Sequence, residues 1–67
     1  MDGWIKVFSS DQPVQVEVVK ARLKENGIEA VEVSKKDSVY IFGEIEVYVK
    51  AESEIDALLL LTQINFE

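Results

Sequence analysis

From Gly43 to Lys50 the chain alternates polar with apolar residues almost without fault. Ile45, Val47 and Val49 fall on one face, and Glu44, Glu46, Tyr48 and Lys50 on the other. That is the pattern of a half-buried antiparallel strand. Trp4 to Ser9, rich in aromatic and β-branched residues, predicts an earlier strand with Ile5 and Val7 on one face and Trp4, Lys6 and Phe8 on the other. Ile28 to Ser34 predicts a third, with Val31 and Val33 opposite Ala30 and Glu32. Between the last two strands, Ser34 to Ser38 is a cluster of turn-forming and charged residues and reads as a loop; Val39 to Phe42 fits either a strand extension or more loop.

Two segments carry helical signals. Ser10 or Asp11 is placed as an N-cap, Pro13 sits in the first turn where its missing N–H costs nothing, and Asn26-Gly27 is a stop, so a helix runs to about Asn26. The second runs from Ala51 to about Asn65, with Ser53 or a neighbour as cap and Glu52, Glu54 and Asp56 near its positive end. Both are apolar on two sides. In the first, Val16, Val19 and Leu23 form one stripe and Val14, Val18 and Ala21 another. In the second, Ala57, Leu60, Leu61 and Ile64 oppose Ile55, Leu58, Leu59 and Phe66. One stripe of each helix covers the sheet, and the other needs a second cover.

The order β-α-β-β-α with short connections predicts an α+β split βαβ domain, ferredoxin-like but lacking the fourth strand. The sheet is antiparallel in the order 1-3-2, with both helices on one face. The opposite, open face then carries Trp4, Lys6, Phe8, Ala30, Glu32, Glu44, Glu46, Tyr48 and Lys50, with Lys6 and Glu46 able to pair across strands. The outer edge of the first strand is unpaired and invites strand addition.

Length sharpens the problem of the second stripes. Sixty-seven residues make one domain, residues 1–67, and bury only roughly 60% of the surface of the unfolded chain. Cysteine and histidine are both absent, which removes disulfides, zinc fingers and any Cys–His nucleophile. Oligomerisation or a dense core is what remains to stabilise so short a chain. Thirteen acidic against seven basic residues give a net charge of −6, which repels phosphate backbones and anionic membranes. The longest apolar run, Ala57 to Leu61, is too short to span a bilayer, and the N-terminal residues lack a signal-peptide pattern. The expected setting is cytoplasmic, without nucleic acid or membrane.

The segments Trp4-Ile-Lys-Val-Phe-Ser-Ser-Asp-Gln-Pro13, Leu23-Lys-Glu-Asn-Gly-Ile-Glu-Ala30, Lys35-Lys-Asp-Ser38 and Gly43-Glu-Ile-Glu-Val-Tyr-Val49, in that order and spacing, resemble a short bacterial family labelled "putative prokaryotic signal transducing protein". The resemblance covers nearly the whole chain. It implies a fold similar to the PII nitrogen-regulatory proteins, which are ferredoxin-like trimers, and a regulatory role without assigned catalytic residues. The PII nucleotide-binding motifs have no counterpart in this sequence, and the loop over residues 34–42 is shorter.

Lys35, Lys36, Asp37, Ser38 and Tyr40 are the candidate ligand or partner contacts on that loop, although a solvated hairpin turn accounts for the same residues. Glu44 and Glu46 share a strand face as paired carboxylates do, yet no histidine or further acid joins them. No general base, nucleophile, cofactor or metal set can be assembled. Trp4, Phe8 and Tyr48 form a candidate contact patch on the open sheet face. Ile55, Leu58 and Leu59 form a candidate surface on the second helix for a homo-oligomer, dimer or trimer, or for a partner protein. Two functions follow: a non-enzymatic interaction or signal-transducing module, or a small-ligand-binding sensory domain using the 34–42 loop and the open sheet face.

Overall fold

The structure, a computed structural model, describes residues 2–34 and 44–66. It contains β1 (Trp4–Ser10), α1 (Pro13–Glu25), β2 (Ala30–Ser34), β3 (Ile45–Lys50), a single 3₁₀ turn (Ala51–Ser53) and α2 (Glu54–Leu61). The sheet order is β1-β3-β2, antiparallel on both sides of β3. Both helices lie on one face of it. The expected α+β architecture is therefore the observed one, and the readings made for Lys35 to Gly43 lie outside the described residues.

The core sits between the sheet and the helices. Val47 and Val49 of β3 are fully buried under Val16, Val19 and Leu23 of α1, Ile28 and Ala57. In α1 the inward stripe is the one with Leu23, because three large side chains at i, i+3 and i+7 present a continuous ridge to the strand valines. Val14 and Val18 are left outside.

The helix begins differently from the capping reading. Gln12 is the N-cap residue and makes no side-chain cap bond. Ser10 instead accepts a hydrogen bond from the Gln12 backbone N–H at 3.0 Å and donates its hydroxyl to Gln15 at 2.8 Å. Pro13 fixes the first helical φ, so the entry turn is organised without a cap oxygen. At the other end Gly27 takes φ +75°. Its N–H reaches the Lys24 carbonyl at 3.0 Å, and the N–H of Ile28 reaches that of Leu23 at 2.9 Å. These two bonds make a Schellman closure, with Ile28 folding back beside Leu23 in the core.

Two face assignments are corrected. Lys6 pairs with Tyr48 but Phe8 pairs with Val47, so Val7 is an extra, bulged residue. Beyond the bulge Phe8 turns to the helix side, where it joins the core margin and stacks on Phe66 with ring centroids 5.6 Å apart. In β2, Ala30 pairs with Val49 and Glu32 with Val47, which puts both on the helix side and Val31 and Val33 on the open face. The physical reason is the position of β2 at the sheet edge. Ala30 is small enough to pass beneath α1, and Glu32 extends past the helix to meet Lys20 at 3.0 Å.

The last helix is shorter than its apolar content suggests. It ends at Leu61, with Thr62 as C-cap and its hydroxyl donating to the Leu59 carbonyl at 2.6 Å. The chain then turns through Gln63, so that Ile64 packs on the core and Phe66 on Phe8.

Candidate interaction surfaces

Three surfaces hold the candidate residues. The first is the open sheet face, which carries Trp4 and Lys6 of β1, Val31 and Val33 of β2, and Glu46 and Tyr48 of β3. Glu46 is only 4% exposed. A buried carboxylate is tolerable only when hydrogen-bonded and charge-compensated. Here the Tyr48 hydroxyl donates to one oxygen at 2.9 Å and the Lys6 ammonium to the other at 3.3 Å. Cross-strand pairing of Lys6 with Glu46 is as expected, but diagonal, since Tyr48 is the residue directly opposite Lys6. Lys50 places its ammonium 5.9 Å from the centre of the Trp4 ring and 3.9 Å from Glu29.

Trp4 and Tyr48 thus share this face as expected, and Phe8 does not. The signal available in the sequence was the adjacent apolar pair Val7-Phe8, which breaks strict alternation. Nor do Glu44 and Glu46 act as a carboxylate pair: Glu44 is exposed before the strand begins, and Glu46 belongs to the lysine–tyrosine network. Among the described residues no three acidic side chains converge as a cation site requires.

The hydrogen bond to Glu46 raises the Tyr48 pKa above the 10.0 usual for a phenol, helped by desolvation and the carboxylate charge, with Lys6 opposing. Lys20 is raised above 10.5, first by its hydrogen bond to Glu32, with burial opposing and the charges of Glu32 and Glu17 adding to it. In both cases the folded chain holds its proton more tightly than the unfolded chain does. That contribution to stability is complete below the ordinary pKa and is lost as pH rises through the folded value. The denaturation midpoint is therefore expected to hold steady up to about pH 10 and fall above it. Tyr48→Phe should flatten the fall while leaving the Lys20 share, and an unchanged alkaline slope in that variant would contradict the Tyr48–Glu46 bond.

The second surface is the outward face of α2. Ile55, Leu58 and Leu59 are 74%, 42% and 58% exposed. They follow i, i+3, i+4 spacing opposite Ala57, which is fully buried. The third is a cleft of about 310 Å³ at the α1–α2 junction, lined by Asn26, Ile28, Asp56, Leu59, Leu60 and Gln63. It opens beside the α2 stripe and shares Leu59 with it. Lys35, Lys36, Asp37, Ser38 and Tyr40 lie outside the described residues.

A family model described as "Putative prokaryotic signal transducing protein" matches residues 4–65. The chain belongs to that family. The match runs from the first residue of β1 to the segment beyond α2, so the sheet, both helices and all three surfaces lie within it. No curated protein and no solved structure matches the chain. The family description reaches as far as signal transduction and assigns no biochemical role. No helix among the described residues is long and apolar enough to cross a membrane.

Proposed function

We propose that this member of the signal-transducing family is a non-enzymatic protein-interaction module, working in the cytoplasm, whose binding surface is the outward face of α2. The observation that carries this reading is the exposure of Ile55, Leu58 and Leu59 on one side of a helix whose other side already fills the core. A solvated helix of a small domain ordinarily turns polar residues outward. Covering these three side chains would recover roughly 3–5 kcal/mol, taking about 1.5–3 kcal/mol for a fully buried large apolar side chain and scaling it by the fraction of each that is still exposed. Association itself costs as much or more, on the order of 4–15 kcal/mol. The stripe therefore supplies the centre of an interface and needs polar or charged support around it. A second copy, giving a dimer or trimer, and a different protein are the two forms this interaction can take.

Site-specific photo-crosslinking in bacterial cells tests the surface. A photoreactive residue at Leu58 or Leu59 is expected to give a discrete adduct, whose mass separates self-association from a partner; the same residue at Asp11 is expected to give none. Absence of adducts on α2, or equal labelling at every position, would defeat the reading.

A further inference from the structure

We infer that the partner seated on α2 is a basic amphipathic helix of another protein, with a lysine or arginine reaching into the cleft at Asp56. This deepens the interaction reading and rests on it.

The spacing names the occupant's shape. Ile55, Leu58, Leu59 and Thr62 recur at i, i+3, i+4 and i+7, the ridge pattern that accepts the side chains of another helix. The charges name its sign. On the sheet and α1 most acidic side chains have cations: Glu46 has Lys6 at 3.3 Å, Glu32 has Lys20 at 3.0 Å, Glu25 has Arg22 at 3.6 Å and Glu29 has Lys50 at 3.9 Å, while Asp2, Asp11 and Glu44, which border no apolar stripe, have none within 4.0 Å among the described residues. Glu52, Glu54 and Asp56 have none within 4.0 Å among the described residues. Residues 51–66 contain no lysine or arginine at all. At 100° per residue Glu54 and Asp56 fall on opposite flanks of the apolar stripe, so an occupant meets acid on both sides. Helix-dipole compensation accounts for acids in the first turn, but not for an apolar seam between them.

The cleft adds a place for the cation. Ile28, Leu59 and Leu60 give an apolar wall for a lysine or arginine stem, and Asp56 stands among the lining residues to receive the charged head. A second copy is disfavoured on the same grounds. It brings its own net charge of −6 and no cation on α2 to answer these acids.

The test uses a labelled Leu/Lys amphipathic peptide of about 18 residues, five helical turns, titrated into the full chain by fluorescence anisotropy. A Leu/Glu peptide with the same apolar pattern and a scrambled Leu/Lys peptide serve as controls. Only the amphipathic Leu/Lys peptide is expected to bind, more weakly as salt rises. Glu54→Gln with Asp56→Asn should weaken it about tenfold, since each exposed pair contributes modestly. Leu58→Ser with Leu59→Ser should abolish binding without unfolding the chain, and Val14→Ser, at the far end of α1 from the cleft, should change nothing. Equal binding of the scrambled peptide, or indifference to the Leu58/Leu59 substitutions, would reduce the effect to bulk charge attraction and overturn the inference. Equal binding of the Leu/Glu peptide would remove the cation preference while the interaction surface stands. A dimer in sedimentation equilibrium that Leu58→Ser with Leu59→Ser dissolves would make the occupant a second copy, again against the inference alone. If no peptide binds and no crosslink forms on α2, both the inference and the interaction reading fall.

Discussion

Leu23→Ala is expected to cost about 2–5 kcal/mol, the range for truncating a fully buried leucine. A domain of this length has roughly 3–10 kcal/mol in total, so the variant sits near the edge of folding at room temperature. Leu23 is fully buried among Val16, Val19, Val47 and Val49. Its carbonyl also receives the N–H groups of Asn26 and Ile28 at 3.1 and 2.9 Å, so the residue anchors the helix end as well as the core. The cavity left by alanine borders strand valines that the sheet ladder holds in place, which limits collapse around it. Urea denaturation followed by circular dichroism measures the loss. A cost below about 1 kcal/mol would mean that the helix–sheet interface repacks freely and that Leu23 is not its keystone.

Phe8→Ala is the second large effect, expected at about 2–3 kcal/mol, discounted from the 3–5 kcal/mol typical of a fully buried ring because Phe8 is half-buried. Had strict alternation continued through β1, Phe8 would stand on the open face and its truncation would stay within about 0.5 kcal/mol, as surface changes do. The two placements thus predict measurably different midpoints. The stacking partner sharpens the test. Phe66→Ala alone should cost less, and the double variant should show a coupling of about 0.5–1.5 kcal/mol between the rings. Additive losses would separate Phe8 from Phe66 and withdraw the account of how the chain beyond α2 is held.

These residues also show what the sequence made legible. The β3 strand was readable because it lies between two partners and keeps perfect alternation, so its buried face followed from Ile45, Val47 and Val49 alone. The first helix was readable from Pro13 and Gly27, whose backbone constraints are local. What failed was nonlocal. Alternation in β2 separates Val31 and Val33 from Ala30 and Glu32 but is silent on which pair lies beneath α1; that depends on the register with β3 and on Lys20 being in reach of Glu32. The apolar pattern runs on past the end of α2 because Ile64 and Phe66 continue it, while Thr62 and the turn after it redirect them. Of the candidate surfaces, the α2 stripe was legible because so short a chain cannot cover two sides of a helix. The aromatic patch was only partly legible, since one bulge moved Phe8 to the other side of the sheet.

That bulge bears on how the chain tolerates changes in length. Counted from β3, Ile5 and Phe8 both face inward and Lys6 outward, with Val7 surplus to the ladder. A chain one residue shorter at Val7 would restore continuous pairing and leave every other β1 side chain on its present face. In register the strand therefore carries one residue of slack at this point, although Val7 itself packs against the core and its loss would cost that contact. A deletion that would invert half a strand in a regular ladder is here absorbed by removing an irregularity, which singles out β1 as the part of the sheet where chain length can vary by one without exchanging inside for outside.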